Sequence, residues 1–324
     1  MTNESQVSAE PTWPVDPNLQ TETRVAWYYY VGNLTQQQIA DRLGTSRVRI
    51  NRLLAACRES GVVQVSINSN LSNCVALEQT LAERYGLRGA VVVPTPEDEQ
   101  RLREAIGVGA GNYLNEVIAP GNTVALGWGR TLVNTWRAMR ARTDHALSVV
   151  SMLGGLAHCP RLNTFEITYG FAERLGAECH YLAAPIYASS REERDLFLAH
   201  ETTRYTLDKA RGADVAVLTA GDLDESLVVK YALTEKNVGT LKDAGAVGDV
   251  LGHFIDADGN LVDHELNKRT VALKPDDLAA AGNVVLVAGG TSKATVTRAA
   301  LVGGYIDVLV TDEAGAEKLT QDYA

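Results

Sequence analysis

Arg47, Arg49, Asn51 and Arg52 fall within the ten residues "TSRVRINRLL", Thr45 to Leu54, of a 324-residue chain. A guanidinium binds phosphate or the O6/N7 edge of guanine, and an asparagine amide matches the N6/N7 edge of adenine. A second set of chemistry-bearing residues lies in glycine-rich stretches further on. These are "GWGRT" (Gly127, Trp128, Gly129, Arg130, Thr131), the pair Gly154–Gly155, "AGD" (Ala220 to Asp222) and "GGTSK" (Gly289 to Lys293). Glycine lets backbone amides approach a small molecule, and a helix N-terminus behind it favours anions. Arg130 and Lys293 add charge, and Thr131, Thr291 and Ser292 add hydroxyls. The same glycines could serve chain packing alone. Asp249, in "GAVGD", follows a run of small residues. Its carboxylate either accepts bonds from sugar hydroxyls or caps a turn.

Other chemistry is weakly represented. Four cysteines and six histidines are scattered, with no C-x-x-C or H-E-x-x-H spacing, so we expect reduced thiols, no metal and no cofactor. "FIDADGN" has the Asp256-x-Asp258-Gly259 start of a calcium loop, but Asn267 stands where the twelfth ligand, a glutamate, is required. A hairpin turn at Asp258–Gly259 explains it better. No apolar run is long enough to span a membrane, and the polar, Pro-rich start is neither a signal nor a transit peptide. These readings place the protein in the cytoplasm.

Two elements must position the arginines. In "LTQQQIADRLG", Thr35 and Gln38 have capping-box spacing, Ile39, Ala40 and Leu43 share a face, and Gly44 supplies a left-handed stop. Ser46 can cap a following helix that runs to about Ser60. At 100° per residue, Ile50, Leu53, Leu54 and Cys57 form its buried face. Val48, Arg52 and Ala55 point the other way, flanked by Arg49 and Asn51, with Arg47 at the boundary in the first turn. Two short helices joined by a glycine turn read as a helix-turn-helix, preceded by a helix over "LQTETRVAWYYYVGN" and followed by "VVQVSIN", a strand that suits a wing. Arg47, Arg49, Asn51 and Arg52 are then candidates for DNA contact, with Val48 for a thymine methyl and Thr35, Gln36, Gln37 and Ser46 for the backbone. The rival is a solvated arginine face on a structural helix. Charge distribution favours DNA: six arginines and three acids give +3 between Leu19 and Asn68, leaving −13 on the rest of a chain whose formal charge is −10.

That acidic remainder alternates charge-free strands with periodic helices, the pattern of a parallel, doubly wound sheet covered on both faces. Expected strands include "GAVVVP", "NTVALGWG", "LSVVSMLGG", "HYLAAPIY", "DVAVLTAG", "NVVLVAGG" and "IDVLVTD". One long helix is expected over "REERDLFLAHETTRYTLDKA", and "NSNLSNC" reads as a linker. The predicted organisation is an unstructured end (1–18), a winged helix-turn-helix (19–70) and an α/β effector-binding and oligomerisation domain (71–324). Ligands in such sheets bind at the carboxyl ends of the strands, where the glycine stretches fall.

Together, "LTQQQIADRLGTSRVRINRLL", "GWGRTL", "GAVGDVLGHFIDADG" and above all "VAGGTSKATVTRAALVGGYIDVLVTDEAGAEKL" resemble the SorC family of bacterial sugar-responsive transcription regulators, over nearly the whole chain from about Leu19. The resemblance implies a sheet domain similar to sugar-phosphate isomerases of the glucosamine-6-phosphate deaminase type. It also implies a homo-oligomer, a dimer or tetramer, that binds double-stranded operator DNA and a sugar, polyol or sugar-phosphate effector. Carried over, the effector residues are Gly127 to Thr131, Gly154, Gly155, Asp249 and Lys293. Many members have serine at the place of Gly127, and some a lysine, able to form an imine, at the place of Leu153. Binding is therefore expected to be non-covalent, with room for a polyol or ketose. Two alternatives remain: an isomerase- or deaminase-like enzyme, for which Asp249 and Lys293 are the evident acid/base candidates, and a sheet domain that only oligomerises.

Overall fold

A computed structural model describes residues 17–63, 71–142, 146–156, 163–224, 226–233 and 235–321. The chain divides into two compact units, 1–66 and 67–324. In the first, α1 (Pro17–Tyr30), α2 (Gln36–Arg42) and α3 (Arg47–Glu59) enclose a small core of Val25, Ile39, Ala40, Ile50 and Leu54, with Tyr28, Tyr29, Tyr30, Leu34 and Leu53 packed around it. The capping box at Thr35 forms as its spacing predicts, and Gly44 adopts φ +60 between α2 and α3. Leu43 departs from expectation. As the C-cap of α2 its N–H still bonds to the Ile39 carbonyl, but its side chain, at the end of the helix, is 36 % exposed. At the end of α3 the Val63 N–H bonds to the Cys57 carbonyl. The wing strand expected over "VVQVSIN" falls mostly outside the described residues, as does nearly all of the end expected to be unstructured.

The second unit runs α4 (Leu71–Tyr85), β1 (Gly89–Val93), α5 (Glu99–Val117), β2 (Thr123–Leu126), α6 (Arg130–Ala138), β3 (Ser148–Ser151), α7 (Thr164–Leu175), β4 (Glu178–His180), α8 (Arg191–Ala199), α9 (Glu201–Arg211), β5 (Val215–Leu218), β6 (Ala220–Asp222), α10 (Leu227–Ala232), α11 (Glu235–Asp243), β7 (Gly248–Val250), β8 (His253–Ile255), α12 (Glu265–Arg269), β9 (Val284–Val287), α13 (Ala294–Val302), β10 (Val308–Asp312) and α14 (Glu313–Thr320). Seven strands form one sheet in the order β1-β10-β9-β5-β2-β3-β4, and every pairing is parallel. Charge-free runs occupy its centre: β5 and β9 are buried at every residue. From β2 the chain proceeds to β3 and β4 on one side. From β5 it proceeds to β9 and β10 on the other. The crevice between the carboxyl ends of β2 and β5 is thus the topological switch point.

Four local expectations are corrected. Asn68–Cys74, read as a linker, is helical from Leu71 onward. The long helix over residues 191–210 breaks at His200 (φ −64, ψ 134), whose N–H closes α8 and whose carbonyl opens α9. The break lets α9 bury Thr203, Thr206, Leu207 and Ala210, while α8 buries nothing completely. β4 is only three residues long. The chain after it is tied by isolated bridges at Pro185 and Tyr187, and proline has no N–H for a regular ladder. "DVAVLTAG" bends at Thr219, so β5 ends in the large sheet and β6 starts a second one. That three-stranded antiparallel sheet, β6-β7-β8, was not anticipated, because strands of three residues carry almost no periodic signal. The turn at Asp258–Gly259 forms as expected: Asp256 Oδ1 accepts from the Asp258 and Asn260 N–H groups, and Gly259 has φ +83.

Candidate functional site

The helix-turn-helix presents its polar stripe as phased. Arg47, Val48, Arg49, Asn51 and Arg52 are exposed on α3, while Ile50, Leu54 and Cys57 are buried. Val48, 63 % exposed, is an apolar group in a polar stripe, as contact with a thymine methyl requires. Thr35 and Ser46 already serve their helices, their hydroxyls accepting from the Gln38 and Arg49 N–H groups. Gln37 donates to Asp41 at 2.9 Å. Gln36 reaches across the turn: Arg47 Nε donates to its Oε1, and its Nε2 donates to Asn51 Oδ1, both at 3.5 Å. Gln36 thereby touches two of the candidate DNA-contacting side chains, a link that spacing does not reveal.

In the second unit, a cavity of about 360 Å³ opens at the carboxyl ends of β2, β5 and β9. Small-molecule pockets typically span about 300–1,000 Å³. Of the expected effector residues, Trp128, Gly129, Arg130, Thr131, Asp249 and Lys293 line it together, joined by Ala220, Gly221, Asp222, Gly289, Gly290 and Ser292. Gly129 precedes α6, and a Cβ there would lie 2.4 Å from Thr219 Oγ1, which itself donates to the Trp128 carbonyl at 2.5 Å. Glycine is needed at that crossing of two strand ends. Gly127, Gly154 and Gly155 are not on the lining. Gly127 N–H bonds to the Val217 carbonyl, and a Cβ there would strike Leu218. Gly154 and Gly155 are tied by their N–H groups to the Val271 and Ala184 carbonyls. These three serve close packing, while the neighbouring Leu153 side reaches the cavity.

Asp249 is buried on β7. Its Oδ2 accepts from the Gly252 N–H at 3.1 Å, closing the turn between β7 and β8, while Oδ1 is buried and takes no hydrogen bond. The turn-cap reading holds, and the residue is also on the cavity lining. Burial raises its pKa from 3.8 to about 7, against the Gly252 N–H, the Ser226 hydroxyl and Lys293, which favour the ionised form. Ser226 Oγ accepts from the Val229 N–H, which leaves its own hydroxyl proton free to favour the Asp249 carboxylate. Lys293 ends a short 3-10 turn, Thr291–Lys293, and its Nζ donates to the Ala220 carbonyl at 3.1 Å. Burial lowers its pKa, as do Arg130 and Arg103, while Asp222 and Asp249 hold it up.

Several lining residues escaped sequence reasoning. Glu99, Leu102, Arg103 and Ile106 come from one face of α5, and Glu99 pairs with Arg103. Their i, i+3, i+4, i+7 spacing was readable as a face, but nothing in it said that the face overhangs a cavity. Leu251 sits in the β7–β8 turn at φ +53, a conformation rare for a branched side chain, and also lines the cavity. Asp312, fully buried at the end of β10, is not itself on the lining yet fixes it. Its Oδ1 accepts from the Gly290 N–H at 2.6 Å, and its Oδ2 accepts from Thr95 Oγ1 at 2.7 Å and from the Gly315 N–H at 3.4 Å. Gly290, at φ +84, permits that bend before Lys293. Among the described residues no group of three or more His, Cys, Asp or Glu could hold a metal, and no helix is long and apolar enough to cross a membrane.

Residues 69–321 match the family described as "Putative sugar-binding domain", and residues 21–80 match a Crp-like helix-turn-helix domain. The chain is 31 % identical over 300 residues to the erythritol catabolism regulatory protein EryD of Brucella abortus, covering 91 % of this chain and 95 % of that one. It is 34 % identical over 304 residues to the transcriptional regulator LsrR of Klebsiella pneumoniae, covering 90 % of each. The crystal structure of the full-length sorbitol operon regulator SorC from Klebsiella pneumoniae superposes with a TM-score of 0.75 at 28 % identity, over 95 % of this chain and all of that one.

Proposed function

This chain belongs to the SorC family of sugar-binding transcriptional regulators, and we propose how this member divides the work between its two units. In the first, Arg49, Asn51 and Arg52 read base edges of operator DNA, and Val48 contacts a thymine methyl. Arg47, Gln36, Gln37 and the backbone around the capping residues Thr35 and Ser46 engage phosphates. In the second, a small sugar, polyol or sugar phosphate binds among Trp128, Gly129, Arg130, Thr131, Asp249 and Lys293. Occupancy changes how the heads of a cytoplasmic homo-oligomer fit operator half-sites.

The observation that carries this reading is the meeting of Arg130, Asp249 and Lys293 in one cavity at the switch point, in a chain whose other unit displays an arginine-rich helix. Binding rather than catalysis fits the same residues. Lys293 Nζ is engaged by the Ala220 carbonyl and Asp249 Oδ2 by the Gly252 N–H, so each candidate acid/base group helps hold the frame. The test is a gel-shift titration on operator DNA. Arg52→Ala should weaken binding by about 1–3 kcal/mol and relax sequence preference at one position. Arg47→Ala should weaken binding evenly across sequences. Lys293→Ala should blunt the response to effector. An Arg52→Ala protein that binds like wild type would refute the head assignment.

A further inference from the structure

The chain passes from the head into the second unit through residues 64–70, and the first helix it then forms is α4. α4 lies along α14, and the two helices are tied at both ends. At the far end, the Arg84 guanidinium and the Tyr85 hydroxyl donate to the Thr320 and Leu319 carbonyls. At the end nearer the head in sequence, Asn73 Nδ2 donates to Glu313 Oε1. The ties differ in kind. The far ones hold backbone carbonyls of α14. The near one joins two side chains, Asn73 exposed and Glu313 partly buried, and it breaks when either turns away.

Glu313 directly follows Asp312, whose carboxylate accepts from the Gly290 N–H on one oxygen and from Thr95 Oγ1 on the other. Thr95 Oγ1 in turn accepts from the Ala314 N–H at 2.7 Å. A Cβ on Gly289 would lie 2.5 Å from Asp312 Oδ1, so the turn seats directly against that carboxylate. Gly289, Gly290, Ser292 and Lys293 of the same turn line the cavity. Close-packed groups transmit a displacement instead of absorbing it. A shift of the turn therefore reaches the first turn of α14, where Glu313 holds α4.

Resting on the reading of this cavity as the effector site, we propose that Glu313 and Asn73 are positioning residues of the response. A ligand seated on the Gly289–Lys293 turn shifts Asp312 and Glu313 together. The Asn73–Glu313 bond, made in one arrangement and broken in the other, passes that shift to the start of α4 and to the chain that leads into the head.

Hydrogen–deuterium exchange of the full-length protein reads this link without a ligand. Lys293→Ala releases the turn from Ala220 and should speed exchange over residues 75–79 by about threefold or more, leaving residues 82–85 unchanged. Glu313→Ala and Asn73→Ala should do the same directly, and adding Lys293→Ala to Glu313→Ala should change nothing further. Glu313→Gln, which keeps an acceptor for Asn73, should exchange like wild type. No change at residues 75–79 in Lys293→Ala, additive effects in the double variant, or equal loosening of both ends of α4 overturns the proposal. A second arm titrates erythritol, sorbitol and their monophosphates by calorimetry, alone and with operator DNA. Glu313→Ala should bind the compound that wild type binds with a constant within about twofold, while the effect of that compound on operator affinity falls severalfold. An undiminished effect overturns the proposal. If none of the four compounds binds wild type, the effector reading loses its support, while the exchange experiment still decides the link.

Discussion

Two buried titratable side chains of the second unit pull stability in opposite directions. Asp249 has its pKa raised from 3.8 to about 7, chiefly by burial. Between those values the folded chain keeps a proton that the unfolded chain has released. Its stabilising contribution is therefore full below about 3.8 and is lost as pH rises through 7. His253, buried on β8, has its pKa lowered from 6.5 to about 4, again chiefly by burial, with Lys274 adding to it. Here the unfolded chain binds a proton that the folded chain refuses, so stability is full above 6.5 and is lost as pH falls toward 4. From about pH 4 to 6.5 the two slopes oppose each other, each near 1.4 kcal/mol per pH unit at most. Relative to wild type, the thermal midpoint of Asp249→Asn should therefore rise with pH across this window, and that of His253→Asn should fall. Parallel profiles for all three proteins would refute the pairing. Asp249 itself was legible in the sequence from its run of small neighbours. His253 was not, because burial of a lone histidine depends on which strands close over it.

At the level of elements, what could be read was whatever has its own local signal. The capping box at Thr35, the stop at Gly44 and the apolar register of α3 are local, and they formed. The central strands announced themselves as charge-free runs. The β6-β7-β8 sheet and the closure of the Gly289–Lys293 turn are set by partners about 30 and 20 residues away, respectively, and no window of sequence contains them. Asp312 is the clearest case: it caps α14 and also clamps Gly290 and Thr95. Replacing it by alanine would orphan the Gly290 N–H and the Thr95 hydroxyl and loosen the turn that carries Lys293. Asp312→Ala should destabilise the protein by about 3 kcal/mol or more, since hydrogen bonds to a charged group contribute about 1.5–3 kcal/mol each. It should also weaken effector binding, although Asp312 is not on the cavity lining. Denaturant unfolding and ligand titration of the same variant measure both effects. A stable Asp312→Ala protein with normal ligand affinity would show that α14 and β1 hold the turn without it.

For the whole molecule, the two units differ in charge as well as fold. The basic head suits DNA, and the acidic remainder is repelled by it, so DNA affinity resides in the head and the larger unit can act on it only through coupling. Coupling free energy is reciprocal: whatever factor the effector imposes on operator affinity, the operator must impose on effector affinity. Couplings of this kind usually amount to about 1–3 kcal/mol, or about 5- to 150-fold. Titrating effector into the protein alone and into the protein saturated with operator, at fixed salt and protein concentration, should therefore give dissociation constants that differ by the same factor as the operator constants measured with and without effector. Equal effector constants in the two titrations would mean that the sheet unit binds its ligand without informing the head, and its role would reduce to assembling the proposed homo-oligomer. A factor that grows as protein is diluted would place the coupling in assembly rather than in the fit of heads to half-sites. A shared factor that is independent of protein concentration is what a regulator responding through head geometry requires.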